Sequence, residues 1–226
     1  MINLTDKTAL VIGDLESLTE EVAARLSAAG ASVEIVPPDD LETRVASLSH
    51  IDIAVLHPNG WREAPFMQTT PDEWDAALQR NFETTVFAMQ ALARKMQSSG
   101  GSIVLLSSVV AKMPFANTSL PGTTLAMLWP VVKMAAVDLG GDGVRVNMVA
   151  YGWVETDVNR EYIDDSGNFF FQADIPLGRM ATPAEIGDVC CFLASDMARY
   201  ITGTMITVDG GYTLTRSPGP SPHQSF

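Results

Sequence analysis

Short runs of aliphatic and β-branched residues recur along this chain, separated by longer stretches whose apolar positions return every three or four residues. "TALVIG" at residues 8–13 is the first run, suited to a strand buried on both faces. "SLTEEVAARLSAAG" follows with the helical period, placing Leu18, Val22, Ala23 and Leu26 on one face. Ser17 or Thr19, with Glu20 and Glu21 next, suits a helix start, and Gly30 suits its stop. Further strands are expected at "ASVEIV", "IDIAVL", "SIVLLSS", "VRVNMVA" and "MITVDGG". Between them the pattern predicts a helix over "DLETRVASLSH" and one long helix over residues 70–100, capped by Thr70 and ended by Gly100. It predicts two more over "TTLAMLWPVVKMAAVDLG" and "TPAEIGDVCCFLASD", the latter with Pro183 in its first turn. Strands alternating with helices of this length indicate an α/β fold with a single doubly wound parallel sheet, covered on both faces. That domain is expected over residues 1–212, with a Pro/Ser-rich tail at 213–226.

Charge and composition narrow the partners. Fourteen basic against 27 acidic side chains leave a formal charge of −13, which disfavours nucleic acid and anionic membranes. Cys190 and Cys191 are adjacent in a helix and point apart, so core thiols in a reducing compartment are expected rather than a disulfide or a metal pair. No apolar run reads as a membrane span, and residues 1–6 lead into a strand without a signal peptide, so a cytoplasmic location is expected.

Local phrases are more specific. The segment "PLGRMATPAEIGDVCCFLASDMARYITGTMITVDGGY", the strand-and-loop "DGVRVNMVAYGWVET", Asn81 in "RNFETTVFAMQAL" and the serine strand "GSIVLLSSVVAK" occur in this order. Together they resemble the short-chain dehydrogenase/reductase family, particularly its β-ketoacyl-reductase-like branch, over about residues 8–212. The resemblance implies a Rossmann-like fold, an NAD(P) cofactor and a Ser-Tyr-Lys catalytic set.

Residue by residue, that set does not carry over. The family turn Thr-Gly-x-x-x-Gly-x-Gly reads "IGDLESLT" here: Gly13 stands, while Ser17 and Thr19 replace the next two glycines and Asp14 and Glu16 add negative charge. Bare backbone is what a diphosphate needs over a helix N-terminus. Only the sixteen residues 37–52 separate the second and third predicted strands. A full strand-helix-strand unit takes roughly 30 residues, so the family's third strand and an adjoining helix of the cofactor half are expected to be deleted. The Asn-Asn-Ala-Gly turn has become "HPNG" at residues 57–60. Thirteen places after Ser108 the family's Tyr is Pro121, and four further on its Lys is Leu125. Lys133 lies eight residues beyond, ~12 Å along a helix axis, too far to substitute. Asn81 and Ser108 are vestigial on this reading, a helix amide and a strand-end hydroxyl that satisfy backbone groups.

The expectation is therefore a chain that binds no cofactor and has no catalytic or metal site of its own. It would be the non-catalytic member of a hetero-oligomer, a tetramer by family habit, supporting a catalytic short-chain dehydrogenase that holds the NAD(P). Complexes of the hydroxybenzylsuccinyl-CoA dehydrogenase type, and 3-hydroxyacyl-CoA-type substrates, are the pattern for this. The alternatives are a non-redox enzyme (cyclase, dehydratase or lyase) or a ligand-binding regulator in the emptied cleft. His57, Ser108, Tyr151 and Asp138 are then the candidate groups, His57 at a strand's carboxyl end, and the Phe169-Phe170-Phe171 run would cap a pocket.

Overall fold

A computed structural model describes residues 2–14, 16–58, 60–163 and 172–215. The phenylalanine run at 169–171 and the tail from residue 216 lie outside the described residues. Six strands, β1 (Thr8–Ile12), β2 (Ser32–Val36), β3 (Ile53–Leu56), β4 (Gly101–Ser108), β5 (Val144–Tyr151) and β6 (Met205–Val208), form one sheet in the order β2-β1-β3-β4-β5-β6. Every neighbouring pair is parallel. This is the α/β, Rossmann-like architecture expected from the alternation of periods. The segment between β2 and β3 holds a 3-10 turn (Pro38–Asp40) and one short helix, α2 (Leu41–Ser47).

Alternation along the strands divides the core in two. Leu10, Ala54, Ile103, Leu105, Val146 and Met148 face α4 (Thr84–Met96) and α5 (Ser119–Leu139), where Leu92, Met96, Leu128 and Val132 are fully buried. Val11, Val55, Val104, Leu106 and Val149 face α1 (Ser17–Ala28) and α6 (Pro183–Ala194). There Gly187 lets the two helices approach: a Cβ would meet Arg25 Cγ at 2.7 Å and Val22 Cα at 3.5 Å. Arg25 donates through Nε to Asp188 Oδ1 at 2.8 Å on the rim of the same contact. Cys190 and Cys191 are both buried in it as free thiols.

Several predicted boundaries shift. The long helix is α3 (Pro71–Ala77), opened by the Thr70–Glu73 capping box, then a π-helical turn (Leu78–Glu83), then α4. Helix α5 begins at Ser119, four residues before the predicted start, and runs unbroken past Pro130. The proline removes one rung, the bond to the Ala126 carbonyl, without ending the helix. With the turn that follows it, residues 119–142 are long and apolar enough to cross a membrane, against the expectation that no segment is. One face of α5 nevertheless packs on the sheet. Its other face leaves Met134 and Val137 exposed, as Phe87 is on α4. Tyr212–Thr215 form a last short helix, α7, where the tail was expected to begin.

Candidate active site

In a doubly wound sheet, ligands meet the carboxyl ends of the strands. Here that edge carries a connected set of polar side chains from three strands. Gly13 follows β1, and its N–H donates to the Val36 carbonyl at 3.3 Å. A Cβ on Gly13 would meet His57 Cβ at 3.2 Å and Thr19 Oγ1 at 3.3 Å, so His57 and Thr19 already fill the space beside this glycine. Helix α1 starts with Glu16 at its N-cap and has no side-chain cap bond. Thr19, expected near the helix start, turns inward and is fully buried. The two acidic side chains of the turn do not point at open space. Asp14 accepts from Arg80 Nη2 at 2.6 Å, and Glu16 Oε1 lies 3.0 Å from His57 Nδ1.

His57 sits one residue past β3, its N–H donating to the Ile12 carbonyl at 2.8 Å, and is 5% exposed. Its Nδ1 has two oxygen neighbours, Glu16 Oε1 and Thr19 Oγ1, each at 3.0 Å. A lone pair on Nδ1 would face the carboxylate's lone pairs, so the proton belongs on Nδ1. Nε2 then faces the Tyr151 hydroxyl at 3.0 Å, with the rings edge to face at 5.9 Å between centroids. In the neutral ring Nε2 accepts from Tyr151 O–H. Burial, and secondarily the Glu16 charge, push the Tyr151 phenol above its usual range, so it is a protonated donor at neutral pH.

Tyr151 ends β5 in register with Ser108 at the end of β4. Ser108 is buried, and its Oγ accepts from the Val110 N–H at 3.3 Å. Asn81 lies in the π turn, 1% exposed. Its Oδ1 accepts from the Gly60 N–H at 2.8 Å, and its Nδ2 donates to the Gly60 carbonyl at 3.0 Å and to Thr124 Oγ1 at 2.9 Å. Asn81 thus ties the loop after β3 to α5. On α5, Pro121 and Leu125 are both buried, and Leu125 belongs to the apolar core under the helix. Lys133 is exposed, its Nζ 5.0 Å from the Trp129 ring centre. Asp138 is exposed near the far end of α5, away from the strand ends that carry the other candidates.

Of the candidates, the structure brings together His57, Tyr151, Thr19 and Glu16, with Ser108 beside them, and leaves Asp138 apart. Glu16 was read in the sequence only as unwelcome charge, and nothing in its spacing points to His57. The turn's two carboxylates each have a partner, Asp14 in Arg80 and Glu16 in His57.

A family model described as Enoyl-(Acyl carrier protein) reductase matches residues 15–213. The chain is 32% identical over 203 residues to L-rhamnose 1-dehydrogenase (NAD(P)(+)) of Azotobacter vinelandii, covering 86% of this chain and 79% of that one. It is 34% identical over 182 residues to 3-oxoacyl-(acyl-carrier-protein) reductase of Salmonella typhimurium, covering 80% and 72%. A short-chain type dehydrogenase/reductase from Mycobacterium ulcerans superposes with a TM-score of 0.87 at 25% identity, over 96% of this chain and 93% of that one. The chain belongs to the short-chain dehydrogenase/reductase family. Its relatives are named as dehydrogenases and reductases in their own right, which overturns the expectation of a non-catalytic supporting subunit or a non-redox or regulatory cleft.

Proposed function

We propose that this chain is an oxidoreductase that interconverts a secondary alcohol and a carbonyl on a small polar substrate. The observation that carries the reading is identity of about a third, over most of the chain, to relatives named for that chemistry. The placement of proton-bearing groups at the carboxyl edge of the sheet supports it. With Pro121 and Leu125 buried and Asp138 at its far end, α5 offers no acid at the strand ends, and Tyr151 and Ser108 are the hydroxyls that stand in register there.

The electron carrier is the altered part. A dinucleotide's diphosphate needs bare backbone over the first turn of α1. Side chains of His57 and Thr19 fill the space beside Gly13, and the Glu16 carboxylate adds its own anion at the helix start. These side chains crowd the diphosphate's usual seat, so NAD(H) or NADP(H) would bind over Gly13 and the first turn of α1 more weakly than on a bare turn, and once bound would exchange the two electrons of the reaction. The same proposal includes a shortened cofactor half. β2 at the edge of the sheet, followed by residues 37–52 that hold α2 alone apart from a 3-10 turn, supports it. Unpaired, buried Cys190 and Cys191 agree with a reducing, cytoplasmic setting. Exposed Phe87, Met134 and Val137 support assembly with a second chain of the same fold through α4 and α5.

The test is turnover of a panel of sugars, polyols and their ketones by purified protein with NAD+, NADP+ and the reduced forms, followed by nicotinamide absorbance. Turnover with one dinucleotide supports the reading. No turnover with any pairing, by protein shown to be folded, overturns it.

A further inference from the structure

We propose that Glu16, His57 and Tyr151 form a proton relay that delivers to, or takes from, a ligand oxygen at Tyr151 Oη. This deepens the oxidoreductase reading and rests on it for the class of ligand, a carbonyl or a secondary hydroxyl. Three elements converge to build the relay: the N-cap of α1, the residue after β3 and the last residue of β5. Both links measure 3.0 Å, Glu16 Oε1 to His57 Nδ1 and His57 Nε2 to Tyr151 Oη. The carboxylate fixes the imidazole with its proton on Nδ1, which aims Nε2 at the phenol. Thr19 Oγ1, also 3.0 Å from Nδ1, is the second polar neighbour of that nitrogen.

The relay is least exposed at its centre. The Glu16 side chain is 25% exposed, that of His57 3%, and Tyr151 is half-buried at the other end. Ser108 adds a neighbour in register with Tyr151, one strand spacing or ~4.8 Å away. Its Oγ accepts from the Val110 N–H, which leaves its own O–H free of that bond.

The relay moves one proton and no electron. In the delivering direction the ligand oxygen takes the Tyr151 Oη proton, and Tyr151 Oη takes the Nε2 proton of a His57 imidazolium. His57 is left neutral, its Nδ1–H still on Glu16. In the opposite direction a ligand hydroxyl gives its proton to Tyr151 as Tyr151 gives its own to Nε2. Tyr151 is the catalytic residue on this account. His57 and Glu16 act through it as positioning residues.

Nitrogen-15 NMR of histidine-labelled protein, alone and with dihydroxyacetone as a carbonyl probe, tests the relay without turnover. The expected spectrum has His57 as the Nδ1–H tautomer, switching to Nε2–H in Glu16→Ala and restored in Glu16→Asp. The probe is expected to shift the Nε2 resonance in wild type and not in Tyr151→Phe. An Nε2–H tautomer in the wild type, or a probe response unchanged by Tyr151→Phe, overturns the relay. In the turnover assay, Tyr151→Phe is expected to lower kcat by about 100-fold or more with little change in KM, and an unchanged kcat overturns the relay as well. A wild type that turns nothing over defeats the oxidoreductase reading alone, since the tautomer and the probe response still decide the relay.

Discussion

The two faces of the sheet differ at its carboxyl edge. On the α4/α5 face, Pro121 and Leu125 are buried, and Leu125 lies in the apolar core. On the α1/α6 face, Glu16, Thr19 and His57 join Tyr151 in one hydrogen-bonded set. Polar side chains meet on one side of the crest, and apolar ones close the other. The difference teaches that packing, more than motif, shows where polar groups are brought together.

The largest effect is expected from trying to reverse the first face. Leu125→Lys puts an ammonium into an apolar layer with Leu105 and Leu128, at a cost of about 3–5 kcal/mol. Urea unfolding should show a matching fall in midpoint. A midpoint near wild type means that α5 still keeps a polar seat there and breaks the contrast between faces.

Asn81→Ala comes next, because it strips partners from the Gly60 N–H and carbonyl and from Thr124 at once. A loss of about 2–3 kcal/mol is expected, read from the same unfolding curves. A loss under about 0.5 kcal/mol would mean that Asn81 does not brace the loop after β3.

Glu16→Gly sharpens the comparison from the other side. Removing a carboxylate from the N-terminus of α1 should tighten NADH or NADPH binding by about 10-fold, by relieving like charge and side-chain bulk. Calorimetric titration checks it, and an unchanged or weaker affinity shows that Glu16 is not what obstructs the turn.

The smallest effect concerns α6, which the family phrase predicts and the structure retains. Glu185 accepts from Arg179 and from the Thr182 N–H, and these bonds lower its carboxyl to about 2. A carboxyl depressed by folding stabilises above its unfolded pKa, and that contribution fades as pH falls from about 4.5 toward 2. The pair is largely exposed, so Glu185→Gln should cost under about 1 kcal/mol at pH 7. The gap between the two proteins' urea midpoints should narrow on acidification, and a gap that widens contradicts the assignment.

Much of this frame is legible in the residues. Each strand follows from a β-branched or aliphatic run, and α3 and α6 begin at capping boxes, Thr70–Glu73 and Thr182–Glu185, with proline next. Other features are set by packing and leave no local mark. The π turn at Leu78–Glu83 depends on Asn81 reaching Gly60 and Thr124, contacts separated by 21 and 43 positions. His57 and Tyr151 are 94 positions apart and meet because β3 and β5 flank β4 in register. A reading by spacing sees Glu16 as repulsion, because spacing carries no information on which side chain lies opposite. The expected loss of function followed from the turn at Gly13, the short span 37–52, the "HPNG" turn, Pro121 and Leu125 together, and the relatives' named activities correct it.

The most direct measurement is the rate of alcohol oxidation with NAD+ or NADP+ by wild type and by Tyr151→Phe, side by side. The account predicts measurable turnover in the first and a rate at least about 100-fold lower in the second. Equal rates in the two proteins would contradict it.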